Sequence, residues 1–144
     1  MNFKKVLIVD NEEQIAERLS RLLGAFGWRV VTAFNGKDAL KKVKKYRPDA
    51  IVLDMIMPEM DGFQVARSLK SHPKYRRIPI VAATSLSRPV DRVRCLAAGC
   101  DDYVRKPFTV EQLQRRLLCL LQAHLPSVGP SETTQRRLQE TDSD

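Results

Sequence analysis

"VLIVDNEEQ", Val6 to Gln14, sends four apolar residues straight into an acid. A short run rich in Val and Ile is the pattern of a strand buried on both faces, as in a parallel sheet. The carboxylate of Asp10 at its end has lost solvent, so it either caps the next element or holds something. The Asp10–Asn11 pair allows both uses, and either residue is placed to cap a helix beginning near Glu12.

Working outward, the same kind of run recurs at "RVVTA" (29–33), "AIVLD" (50–54), "IPIVAA" (78–83) and "DYV" (102–104). Between these runs the period changes to that of helices. Ile15, Leu19, Leu22, Leu23 and Phe26 recur at helical spacing, as do Ala39, Leu40 and Val43, and Leu113, Leu117, Leu120 and Leu121. Shorter helices fit Phe63 to Leu69 and Val90 to Ala97. Thr109 with Gln112 has capping-box spacing at the start of the last helix, and Asp61 stands where it would cap the helix opening at Gly62. Five strands alternating with five helices predict right-handed crossovers and a doubly wound α/β fold: a five-stranded parallel sheet covered by helices on both faces.

The chain has 144 residues, enough for one domain with a substantial core. We expect that domain over residues 1–125. From Pro126 the sequence "PSVGPSETTQRRLQETDSD" offers only Val128 and Leu138 as apolar residues, so 126–144 reads as a disordered tail or a linker. No cationic stretch leads into an apolar signal segment, which predicts a soluble, cytoplasmic protein without a membrane span. Cys95, Cys100 and Cys119 are odd in number and lack metal-ligand spacing, so they read as reduced packing residues. The net charge is +8. Its densest run, "KDALKKVKKYR" (37–47), has lysines flanking an apolar stripe, as a solvated helix face does, so no direct nucleic-acid contact is expected.

In an open α/β sheet, ligands sit outside the carboxyl ends of the strands. Asp10 and Asn11, Asp54, Thr84 and Lys106 all fall at those ends. No Gly-rich phosphate loop and no Ser, His and Asp constellation accompany them. Four stretches, "LIVDNEE" (7–13), "DAIVLDMIMPEMDGF" (49–63), "PIVAATS" (79–85) and "GCDDYVRKPF" (99–108), occur in order and in register. In these the chain resembles the response regulator receiver domains of two-component systems, of the single-domain, chemotaxis-regulator kind with a flavodoxin-like fold. The resemblance runs from about Lys4 to Leu125.

The resemblance implies a phosphorylation switch rather than an enzyme with an external substrate. Asp54 would accept a phosphoryl group from a histidine kinase or histidine phosphotransfer protein, and the domain would promote only its own phosphorylation and dephosphorylation. Mg2+ or Mn2+ would be held by Asp10, Asn11, Asp54 and the backbone carbonyl of Ile56. Lys106 would pair with the phosphoryl oxygens, and Pro107 matches a cis-proline position. Thr84 and Tyr103 match a switch pair that would carry the change to a downstream protein target. The output face would be helix 4, strand 5 and helix 5, bordered by Arg88, Arg92, Arg105 and Arg115, and the domain would be a monomer or a phosphorylation-dependent dimer. Asn11 stands where the family usually has a second acid. A phosphate-independent pseudo-receiver adaptor, which Asn11 favours, is one alternative; a receiver belonging to a longer regulator with an effector domain is another.

Overall fold

The computed structural model describes residues 4–124. In chain order the elements are β1 (Lys5–Val9), α1 (Glu13–Ala25), β2 (Arg29–Ala33), α2 (Gly36–Tyr46), β3 (Ala50–Asp54), α3 (Gly62–Lys70), β4 (Ile80–Thr84), α4 (Pro89–Ala98), β5 (Asp102–Arg105) and α5 (Val110–His124). The strands form one parallel sheet in the order β2-β1-β3-β4-β5. The expected tail, 126–144, lies outside the described residues.

Strand alternation sorts the core into two layers. Leu7, Val9, Ile51, Leu53, Ile80 and Ala82 pack with α2, α3 and α4 on one face of the sheet. Val6, Ile8, Val52, Val81, Ala83 and Val104 pack with α1 and α5 on the other. Because β1, β3 and β4 are covered on both sides, their sequences are almost wholly apolar; the edge strands β2 and β5 are only partly buried. Fully burying a side chain such as Leu23 or Leu117 contributes roughly 1.5–3 kcal/mol.

The element boundaries follow local chemistry. β4 starts at Ile80, two residues later than the apolar run suggests, because the Ile78 N–H turns back to the Tyr75 carbonyl at 3.1 Å. α1 starts at Glu13, and Glu12 occupies the cap position without a side-chain cap. Pro89 opens α4, where a missing N–H costs nothing, and Gly99 closes it at φ 113°. The Thr109 capping box forms as anticipated, and the anticipated Asp61 cap proves to be a capping box too. Asp61 Oδ1 accepts the Gln64 N–H at 2.9 Å while Gln64 Oε1 accepts the Asp61 N–H at 3.0 Å. Thr109 and Gln112 exchange the same pair of bonds at 3.1 and 2.9 Å.

Candidate functional site

The parallel sheet brings the last residues of β1, β3, β4 and β5 to one edge. Asp10 and Asp54, only 3% and 6% exposed, stand at the ends of adjacent strands. Lys106, just past β5, reaches between them: its Nζ lies 3.2 Å from Asp10 Oδ2 and 3.7 Å from Asp54 Oδ1. The Lys106 N–H donates to the Thr84 carbonyl at 2.8 Å, which ties the start of this loop to β4. The Lys106–Pro107 peptide is cis, as the resemblance implies.

Asp10 does two things at once. Its Oδ1 accepts the Glu12 N–H at 2.9 Å, satisfying a donor at the opening of α1, while Oδ2 faces Lys106. The two readings of this residue are therefore compatible. Asn11 takes no part in the cap: it is exposed and its side chain makes no hydrogen bond among the described residues. Asp54 Oδ1 accepts the Ile56 N–H at 3.2 Å. Burial, first of all, pushes the Asp54 carboxyl above its ordinary value; Lys106 opposes this, and the neighbouring Asp10 charge adds to it.

The loop after β3 packs tightly on this site. A Cβ on Gly62 would lie 2.5 Å from the Asp54 carbonyl oxygen and 2.6 Å from Met55 Cα, so no side chain fits there. The Gly62 N–H donates to the Met55 carbonyl at 3.1 Å, holding α3 against the strand end. The Ile56 side chain is exposed.

Thr84 is fully buried, and its Oγ1 accepts the Leu86 N–H at 3.1 Å. Tyr103 is half-buried against the α2, α3 and α4 layer, and that burial raises its phenol above the usual range. Arg105, on the same side of β5, is exposed and in register with Thr84. Arg88, Arg92 and Arg115 are also exposed. Sequence patterning alone passes over Asp91, which is 1% exposed. Its carboxylate accepts from the Arg88 N–H and Nε at 3.1 Å and from Arg88 Nη2 at 3.0 Å, and these bonds hold it below the usual carboxylate range. An acid three residues after the cap position was the available signal. Cys95 and Cys100 are buried as expected of packing residues, but Cys119 is exposed.

Two carboxylates, rather than three, face the site. Among the described residues no group of three or more His, Cys, Asp or Glu side chains is disposed to hold a metal. The donor set still fits a magnesium-sized ion, which commonly takes one or two carboxylates and fills its shell with carbonyl oxygen and water. The mutual repulsion of Asp10 and Asp54, offset here by Lys106 and by the Ile56 N–H on Asp54, is what a cation would relieve.

The response regulator receiver domain family matches residues 6–118. The response regulator MprA of Mycolicibacterium vanbaalenii is 39% identical over 129 residues, which cover 90% of this chain and 55% of that protein. A probable transcriptional regulator, ycf27 of Cyanophora paradoxa, is 38% identical over 140 residues, 96% of this chain and 57% of the relative. The chain thus spans about half the length of these curated relatives. Among solved structures, a putative response regulator from Chloroflexus aurantiacus superposes with a TM-score of 0.80 at 30% identity, covering 84% of this chain and 99% of the other. The chemotaxis protein CheY4 of Vibrio cholerae gives 0.79 at 33% identity, covering 83% and 99%. No helix among the described residues is long and apolar enough to cross a membrane. With the strand-end acids, the lysine and the hydroxyl in place on a sheet of this order, the chain belongs to the response regulator receiver domains of two-component systems.

Proposed function

We propose that this domain is switched by phosphorylation of Asp54, with a histidine kinase or histidine phosphotransfer protein as donor. The observation that carries the reading is Lys106 Nζ standing 3.2 and 3.7 Å from the two buried carboxylates at adjacent strand ends. An oxygen of Asp54 attacks phosphorus; the new O–P bond forms as the P–N bond to the donor histidine breaks, and the imidazole leaves. Lys106, a point charge beside that oxygen, pairs with the phosphoryl group. Asp10, Asp54, the Ile56 carbonyl and the Asn11 carboxamide would hold Mg2+ or Mn2+, which when bound offsets charge on the phosphoryl oxygens.

Thr84 Oγ1, now an acceptor for the Leu86 N–H, also has a proton to donate to a phosphoryl oxygen. A group that binds in one conformation only shifts the population toward it, and Tyr103, on β5 beside α4, is placed to follow. The output face is then α4, β5 and α5, where Val90 and Val93 are exposed beside Arg92 and Arg105. That combination fits a downstream protein or a second copy of the domain. The span of about half of each relative favours a receiver that works within a longer regulator.

The test is intact mass after incubation with magnesium and a small phosphodonor. One phosphoryl group per chain is expected, labile at high pH as an acyl phosphate is, and absent in Asp54→Asn. An adduct that survives that substitution, or that is stable to base, would exclude Asp54 as the acceptor.

A further inference from the structure

In a parallel α/β sheet every strand begins, and every covering helix ends, at the edge opposite the carboxyl-end site. At this amino-terminal edge the chain gathers cations from separate parts of its sequence. Lys4 and Arg29 are joined by the Arg29 N–H to Lys4 carbonyl bond of 2.9 Å. Lys5 lies next to them and sends its Nζ to the Tyr46 carbonyl at 2.9 Å, at the end of α2. Lys44, Lys45 and Arg47 surround that end, with Lys45 Nζ 5.1 Å above the Tyr46 ring. Lys74, Arg76 and Arg77 follow in the turn leading to β4, which pairs with β3. This turn is anchored by buried Tyr75 and by Lys70 Nζ, which donates to the Arg76 and Ile78 carbonyls at 3.1 and 3.0 Å.

Lys4, Arg29, Lys44, Arg47, Lys74, Arg76 and Arg77 are exposed, and none forms an ion pair among the described residues. The acids at the same edge are engaged: Asp49 accepts the Lys5 N–H at 2.7 Å, Asp101 pairs with Lys70 and Asp102 with Arg116. Favourable interaction with helix carboxyl ends accounts for Lys44 and Lys45. It does not account for Lys4, Arg29, Lys74, Arg76 or Arg77, which lie outside helices.

We infer that this amino-terminal edge is a docking surface for the phosphate backbone of duplex nucleic acid. From β2 to β4 the row crosses three strand spacings, about 14 Å, which matches roughly four phosphates of one strand. Arginine forks suit phosphate oxygens, and phosphate contacts carry no sequence information, so binding is independent of sequence. Among the described residues, the exposed large apolar side chains nearest this edge are Leu22 and Phe26 at the end of α1 and Leu96 in the last turn of α4, three against the seven exposed cations named above. The closely spaced charges of a phosphate backbone are the surface that complements such a row of unpaired cations most directly.

The test is fluorescence anisotropy of the whole chain with a labelled duplex of arbitrary sequence, run without magnesium or phosphodonor so that the chemistry of Asp54 does not enter. About four phosphate contacts predict a loss of roughly 100-fold in affinity between 50 and 200 mM salt. Arg76→Glu with Arg77→Glu should weaken binding at least tenfold, and so should Arg29→Glu with Arg47→Glu on other elements. Lys37→Glu with Lys41→Glu, the same change in net charge on the exposed flank of α2, should change it less than twofold. No binding, equal losses from all three pairs, or tighter binding to phosphatidylserine vesicles than to duplex would each overturn the inference.

Discussion

Substituting Gly62→Ala tests whether the loop after β3 is as tightly fitted as its geometry indicates. The added Cβ meets the Asp54 carbonyl oxygen at 2.5 Å, Met55 Cα at 2.6 Å and Met55 Sδ at 2.8 Å. Ordinary contacts of this kind are at least 3.4 Å, so the overlap approaches 1 Å, and the two nearest atoms are backbone. Forcing a methyl group into packed surroundings costs about 1–3 kcal/mol, and backbone neighbours place this case in the upper half. Alanine's better helix propensity at the opening of α3 returns less than about 1 kcal/mol. The expected net loss is about 2 kcal/mol, which lowers the urea midpoint by about 1 M for a slope near 2 kcal/mol/M. Gly24→Ala is the matched control: it lies within α1 with nothing inside 4 Å of its Cβ, so it should stabilise by about 0.5–1 kcal/mol. The nearest displaced atom is the Asp54 carbonyl oxygen, so Gly62→Ala should also slow modification by a small phosphodonor. Equal midpoints for the two alanine variants would refute the reasoning.

Three further outcomes are expected of the site and its surroundings. The raised pKa of Asp54 means that the folded protein holds this proton more tightly than the unfolded chain, so stability falls as pH rises from about 3.8 through the raised value. Asp54→Asn, which never ionises, should therefore unfold at higher urea than the parent near pH 7, with the gap closing towards about pH 4. Asn11→Asp adds a carboxylate beside Asp10 and should bind magnesium more tightly while melting lower in chelator; calorimetry is the readout, because Trp28 lies at the far edge with its Nε1 on Gln114 Oε1 at 3.1 Å. A maleimide should modify only Cys119 in the native protein and all three cysteines in urea. Cys95 and Cys100 are buried, and burial pushes the Cys100 thiol up to about 12.

What the sequence disclosed was what depends on one element at a time. β1 and β3 were legible because burial on both faces leaves unbroken Val, Ile and Leu, and the Asp61 and Thr109 caps because their partners lie three residues away. Strand-end placement then brought Asp10, Asp54, Thr84 and Lys106 together. Ile78 misled because apolarity alone cannot separate a strand from the turn feeding it; the deciding bond, to Tyr75, is local geometry. Cys119 misled because a helix face becomes exposed or buried only once its neighbours are placed. The same limit applied to the basic run of α2. Read along the chain, it is a solvated helix face, and only the fold sets its end beside Arg29, Arg76 and Arg77.

The contrast between α4 and its neighbours α3 and α5 bears on how easily the domain can change state. α3 buries Phe63, Val65 and Leu69, and α5 buries Leu113 and Leu117, whereas α4 buries only Asp91, Cys95 and Ala98. Its larger side chains, Val90, Val93 and Leu96, are 50%, 63% and 45% exposed. With so little apolar area to lose, local opening of α4 belongs at the low end of the stability range, and its amides should exchange with deuterium before those of α3. An element held so lightly needs only a small bias to be redistributed: a differential affinity of about 3 kcal/mol already changes a two-state ratio by more than a hundredfold. Rigidity thus lies in the sheet that positions Asp54, while α4, part of the face proposed above for output, is held by less apolar surface than α3 or α5.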